Sequence, residues 1–254
     1  MSSVADPRPS LDRSALAGLA GFFVEVLDET ASTNAVCADR ARDGAPEWTV
    51  IVAEHQTAGR GRLDRSWELP PRAGLAFSVL VRPPVSPVRW GWLSLVTGLA
   101  VAEAIGPAAA VKWPNDVLIE DRKVCGILSE LVTAGSATAA VIGIGINVTL
   151  TAEELPVPTA TSLAIEGISS SRTALLTSVL LRLRHRIGDL ATFTEAELID
   201  AYAARSATIG RSVEVSMPDG SVISGVVDGV DGDGRLVVDG QAVSAGDVVH
   251  ARLT

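Results

Sequence analysis

Apolar and polar positions alternate with two periods along most of this chain, and the period changes near residue 207. SALAGLAG (14–21) reads as a brief helix and FFVEVLDE (22–29) as a strand. NAVCADRARDG (34–44) has the apolar spacing of a helix closed by Gly44. WTVIVAEHQ (48–56) and LAFSVLVRP (75–83) are buried strands, the second ended by Pro83 and Pro84. WGWLSLVTGLAVAEAIG (90–106) is the longest helical pattern, with Trp90, Trp92 and Leu93 as core. ATAAVIGIGINV (137–148) is a strand interrupted by glycines, and close approach of its backbone to a ligand is one reason for such residues. A proline-bearing connector (151–167) leads to two amphipathic helices, 172–190 and 195–206. From Thr208 only short β runs remain, SVEVSM, VISGVVDGV, RLVVDG and DVVHARL, separated by PDG, DGDG and DG turns. The pattern predicts an α+β protein: a mixed sheet with helices over 1–206, residues 1–13 being mobile, then a small β-barrel over 207–254.

Between these regions lies VKWPNDVLIEDRKVCGILSE (111–130). VKW is extended, because Pro114 disfavours helix at Trp113, and Asn115 and Asp116 are turn residues. VLIE and VCGILSEL read as strands joined by a DRK turn, a hairpin with Lys123 on its turn and Lys112, Asn115 and Asp116 where it begins. Composition singles the segment out. Of 21 basic residues 19 are arginine, and the two lysines, Lys112 and Lys123, are both here. An ammonium is a compact point charge that fits one tetrahedral oxygen, unlike the planar guanidinium fork. Two ammoniums with a carboxylate and an amide suit a polyphosphate and its magnesium ion. The plain alternatives are two lysines surviving by chance on a solvated turn, and Asp116 as a backbone cap.

TAGRGRLDRSWE (57–68) places three arginines between glycines in an acidic chain, which suits a flexible loop closing over an anion. It lacks the third glycine of a dinucleotide fingerprint, and no GxxxxGK[ST] occurs. Ser32 and Thr33, where strand gives way to helix, read equally as an N-cap and as contacts to a polar ligand. Trp67 reads by itself as loop packing. The net charge of −9 with no basic block argues against nucleic acid. Two cysteines without metal spacing imply a reduced, cytoplasmic setting, and three scattered histidines argue against zinc chemistry. No apolar run reaches about 18 residues, so no membrane span is expected, and the N-terminus lacks signal-peptide features. GxSxG and Cys–His arrangements are missing, which leaves positioning and charge stabilisation as the chemistry on offer.

Lys112-Trp113-Pro114-Asn115-Asp116 followed by Arg122-Lys123-Val124-Cys125-Gly126-Ile127-Leu128 resembles the signature of biotin protein ligases. Ser32-Thr33-Asn34, Gln56-Thr57-Ala58-Gly59-Arg60-Gly61-Arg62, Gly143-Ile144-Gly145-Ile146-Asn147 and Ser244-Ala245-Gly246-Asp247-Val248 follow in that family's order. The resemblance implies a catalytic domain related to class II synthetases followed by an SH3-like barrel. It implies an AMP-forming reaction of biotin with ATP and magnesium, then transfer to a lysine of a biotin carboxyl carrier protein. Biotin would be held by Ser32, Thr33, Asn34, Gln56, Gly59, Arg60, Gly61, Arg62, Lys123 and Gly126. ATP would be held by Arg62, Arg65, Trp67, Lys112, Asn115, Asp116 and Asn147, with Asp116 on the metal side and Lys123, Lys112 and Arg62 as the catalytic cations. Many such ligases carry an N-terminal DNA-binding domain; only 31 residues precede Ser32 here, so no DNA partner is expected. The family's core sheet can pair edge to edge into a homodimer. The familiar GRGRxGRxW loop has Asp64 in place of its third glycine, and Asp64 should turn outward or pair with Arg62 or Arg65. A lipoate ligase, which lacks the GRGR and KWPND combination, and a biotin-sensing protein without turnover are the competing readings.

Overall fold

A computed structural model describes residues 8–63, 65–134, 137–244 and 246–250 of the chain. In chain order its elements are α1 (Arg13–Ala17), β1 (Phe23–Thr30), α2 (Thr33–Arg42), β2 (Thr49–Gln56), β3 (Gly74–Val81), α3 (Trp92–Ile105), β4 (Ala109–Lys112), β5 (Asp116–Ile119), β6 (Arg122–Ala134) and β7 (Ala137–Asn147). They continue with α4 (Arg172–Thr192), α5 (Glu195–Ala203), β8 (Ser212–Ser216), β9 (Val222–Val230), β10 (Leu236–Val238), β11 (Gln241–Val243) and β12 (Asp247–His250). Contacts gather the chain into two compact units, Met1–Val81 with Glu130–Thr177, and Arg82–Ser129 with Ser178–Thr254. The C-terminal strands share the second unit with α3, β4 and β5.

In the first unit β1 and β2 run parallel with α2 between them in sequence, β2 pairs antiparallel with β3, and β3 with β7. β2 and β3 are nearly all buried, β3 along its whole length, which is why they read as continuous apolar runs, whereas β1 has no buried residue. One face of α2 packs Cys37 and Ala41 onto Ile51, Leu80, Val132 and Val141. The parallel pair has a direct consequence for the site: Thr30, the last residue of β1, is the register partner of Gln56, the last of β2. Whatever follows β1 therefore starts beside the end of β2. Ser32 caps α2 at that place, its hydroxyl accepting from the Ala35 N–H, so its N-cap reading holds.

The tail expected to be mobile does not extend over residues 8–13; residues 1–7 lie outside the described residues. Leu11 is buried and its N–H donates to Glu54 Oε1 at 2.7 Å. Arg172, its side chain 6 % exposed like that of Glu54, bonds Glu54 Oε2 at 2.6 Å and the Pro9 carbonyl at 2.6 Å. Polar composition at 8–13 hides one anchoring leucine and two hydrogen bonds, from the Leu11 N–H and to the Pro9 carbonyl, that the sequence pattern does not mark.

In the second unit β4, β5 and β6 form an antiparallel meander. Its tight turn is Glu120–Asp121, both at positive φ, rather than the expected DRK, so Arg122 and Lys123 stand on β6. α3 packs on β4, with Gly98 against Val111, and its Trp92 meets Tyr202 of α5 edge-on at 6.3 Å. Trp90 lies instead in a one-turn 3-10 segment and is half-buried. The stretch Pro87–Ile105 is long and apolar enough by composition to cross a membrane, but Trp92, Leu93, Leu95, Val96 and Leu99 are core residues. The C-terminal strands form a five-stranded antiparallel sheet in the order β11-β10-β9-β8-β12, one strand more than the sequence pattern predicts.

Candidate active site

The predicted site residues fall into two groups, one in each unit. In the first, the Thr33 N–H donates to Gln56 Oε1 at 3.0 Å, which the parallel register makes possible, and Thr33 Oγ1 lies 3.1 Å from the same oxygen. Ser78 Oγ lies 2.8 Å from Thr33 Oγ1 and 2.6 Å from Asn34 Oδ1, while Asn34 Nδ2 donates to Glu130 Oε2 at 2.6 Å. All of these but Glu130 are buried, so they form a closed polar line within an apolar sheet.

β7 explains the spacing of GIGIN. With the strand period of two, residues 143, 145 and 147 share one face and Ile144 and Ile146 the other; both isoleucines are buried. A Cβ on Gly143 would collide with Asn34 Oδ1, and one on Gly145 with the indole of Trp67. The glycines give room to two side chains of the protein. Asn147 completes the face and donates from Nδ2 to the Thr161 carbonyl at 2.8 Å.

The glycine–arginine segment folds back on itself. Trp67 N–H donates to the Gly59 carbonyl at 2.9 Å, and Gly61 N–H to that of Arg65 at 2.6 Å. Gly59 is required here, since a Cβ would strike the Trp67 carbonyl and Gln56 Nε2. Arg60 and Arg65 are exposed and Arg62 is half-buried. Arg60 reaches both carboxylate oxygens of Glu130, at 3.0 and 3.1 Å. Asp64 lies outside the described residues, so its expected orientation is not addressed; Ala245 of the C-terminal motif lies outside them too.

In the second unit the meander collects the two lysines about one carboxylate. Lys112 is the register partner of Asp116, Gly126 is its partner on the other side, and Lys123 Nζ stands 2.6 Å from Asp116 Oδ1. Asn115 ties the corner down: its Nδ2 donates to the Ile127 carbonyl at 2.8 Å, and the Ile127 N–H returns a bond to the Asn115 carbonyl at 2.9 Å. Burial pushes the neighbouring Cys125 thiol well up, so it is no nucleophile at neutral pH. C-terminal residues brace the same corner. The Trp113 indole donates to the Gly234 carbonyl at 3.0 Å, Trp113 N–H to Thr208 Oγ1 at 3.4 Å, and Arg211 pairs with Asp121 at 2.8 Å. His250 is pushed down to about 4, first by burial and then by the charges of Lys112 and Arg211.

Sequence reasoning overlooks Ser78, Glu130, Thr208, Arg211 and His250. Ser78 had a signal, being the one polar side chain in GLAFSVLV. The others depend on contacts between distant segments.

Comparison with known proteins follows this geometry. Residues 26–147 match the model of the Biotin/lipoate A/B protein ligase family and residues 208–251 that of the Biotin protein ligase C terminal domain. The chain is 42 % identical to the biotin--[acetyl-CoA-carboxylase] ligase of Mycobacterium tuberculosis, covering 96 % of this chain and 97 % of that one. It is 33 % identical to the bifunctional ligase/repressor BirA of Bacillus spizizenii over 84 % of this chain and 68 % of the relative. Its fold is similar to that of the Aquifex aeolicus biotin protein ligase solved with biotin and ATP, with a TM-score of 0.75, 28 % identity, and coverage of 91 % of this chain and 99 % of that one.

Proposed function

The chain belongs to the biotin protein ligase family, and we propose that it joins biotin to AMP and passes the biotinoyl group to a lysine of a biotin carboxyl carrier protein. The observation that carries this reading is the meander: the chain's only two lysines stand on either side of Asp116. In the first step a biotin carboxylate oxygen attacks the α-phosphorus of ATP and the bond to pyrophosphate breaks. Two anions must approach before that bond forms, and Lys123 neutralises both, leaving Asp116 as it does so. Lys112 and Arg65 hold the phosphates, and Arg62 meets the new anhydride. We assign Ser32, Thr33, Asn34, Gln56, Gly59, Arg60, Gly61, Arg62 and Gly126 to biotin, and Trp67, Asn115 and Asn147 to the nucleotide. Excluding water there protects the mixed anhydride from hydrolysis. In the second step the carrier's amine attacks the acyl carbon, AMP leaves, and an amide remains.

Among the described residues no cluster of three or more His, Cys, Asp or Glu side chains is disposed to hold a metal ion. A single carboxylate fits magnesium that arrives on the nucleotide and takes one oxygen from the protein. Asp116 would supply that oxygen, and the ion would neutralise phosphate charge. The division of labour we assign is a catalytic domain to residue 206 and an SH3-like domain beyond. Two free, buried thiols favour a reducing cytoplasm.

Incubation with ATP, labelled biotin and an isolated carrier domain tests the reading. Label on the carrier's acceptor lysine, dependent on ATP, is expected. Tight biotin binding without transfer would make the protein a biotin sensor, and transfer of lipoate in place of biotin would make it a lipoate ligase.

A further inference from the structure

We propose that Glu130 is a positioning residue for biotin: it fixes the direction of the hydrogen bonds that Asn34 and Ser78 present to the pocket. The inference rests on reading residues 32–34, 56 and 59–62 as that pocket.

Counting protons carries the argument. The Ser78 hydroxyl has one proton and two oxygens within reach, Asn34 Oδ1 at 2.6 Å and Thr33 Oγ1 at 2.8 Å. A carboxylate accepts and never donates, so Glu130 Oε2, 2.6 Å away, requires the Asn34 NH2 to face it. Asn34 Oδ1 then faces Ser78 and cannot donate, which commits the Ser78 proton to it. The Thr33 hydroxyl keeps its own acceptor, Gln56 Oε1 at 3.1 Å, beside the Thr33 N–H at 3.0 Å. Were the Asn34 amide turned over, the Asn34–Ser78 bond would reverse and the Ser78 proton would turn to Thr33 Oγ1 instead. One ionised oxygen thus sets the polarity of a buried row of neutral groups, and a pocket of fixed polarity suits a ring with one carbonyl and two N–H groups.

The second link of Glu130, to Arg60, contributes less. Those side chains are 34 % and 56 % exposed, and pairs in water are worth little. Its use is to hold the loop's first arginine beside the pocket without locking it there.

Glu130→Gln keeps the side chain's shape but can meet either face of the Asn34 amide, and Glu130→Ala removes the contact. We expect the KM and Kd for biotin to rise about threefold to tenfold in E130Q and about tenfold or more in E130A. KM for ATP and kcat of pyrophosphate release should change less than about threefold. Discrimination between biotin and 2-iminobiotin, whose ring carbonyl is replaced by a donor, should narrow in E130Q, a readout that loss of packing alone would not move. Unchanged biotin KM and unchanged discrimination in E130Q, with wild-type turnover normal, would overturn the role of Glu130. Wild type failing to activate biotin would overturn the functional reading itself.

Discussion

Lys112 and Lys123 stand on strands paired with neighbours, whereas Arg60, Arg62 and Arg65 stand on a loop closed by its own backbone bonds. β4 is paired with β5 on one side and bridged to Ser206 on the other, and Trp113, immediately after Lys112, is fastened to Gly234 and Thr208. The glycine–arginine loop is closed by backbone bonds between Gly59 and Trp67 and between Gly61 and Arg65, with Arg60 resting on the half-exposed Glu130. The two scaffolds suit two tasks. A cation that must meet a transition state at a fixed place belongs on a rigid element, and cations that close over a ligand and release it belong on a segment that opens cheaply.

The sharpest way to break this contrast is Lys123→Ala. Removing a charge from the reacting centre should lower adenylate formation by about a thousandfold, while the thermal midpoint stays within about 4 °C of wild type, because strand pairing through β6 is backbone pairing. Near-normal pyrophosphate release would take Lys123 out of the chemistry. Loss of the fold would show that the lysine serves structure instead.

The meander was the most legible part of the chain, because a two-lysine composition, a proline and two turn residues mark it locally. Its turn was misplaced by two residues: Glu120 and Asp121 take positive φ without the glycine that usually signals such a turn. The short strand β11 has three residues and too little pattern to be noticed. The glycines of β7 were legible as constrained positions, but their tenants were not. Asn34 and Trp67 reach them across 109 and 78 residues of sequence, and no local periodicity carries that information. Glu130 is hidden for the same reason, lying 96 residues from Asn34 and 70 from Arg60.

Those tenants supply the next test, in which the two sides of the first unit's site are separated by one methyl group each. Gly145→Ala must displace the rigid indole of Trp67, and KM for ATP should rise about tenfold to a hundredfold with biotin binding changed little. Gly143→Ala must displace Asn34, whose amide is clamped between Ser78 and Glu130, and should raise KM for biotin about tenfold. Steady-state kinetics with each substrate varied in turn decide it. If both variants weaken the same substrate, the assignment of Trp67 to the nucleotide and Asn34 to biotin is wrong.

The smallest effect belongs to His250, which tests whether the bracing of the meander responds to acid. The Arg211 guanidinium can only donate, so His250 Nδ1, 3.3 Å away, must accept, and Nε2–H then faces Thr208 Oγ1 at 3.4 Å. The folded site therefore holds a neutral imidazole. With its pKa lowered from 6.5 to about 4, the histidine contributes stability that is complete above pH 6.5 and is lost as pH falls toward 4, because the unfolded chain takes up the proton first. The site is half-exposed, and screening keeps the contribution below about 1 kcal/mol, or about 2 °C in thermal midpoint. Gln offers the same acceptor and donor and does not titrate. The midpoint difference between wild type and His250→Gln should shift by that amount in the variant's favour from pH 7 to pH 4, when thermal unfolding is followed in matched buffers. A difference that stays constant across this range would mean that the imidazole is not held neutral against Lys112 and Arg211, and that the corner they brace tolerates a third cation.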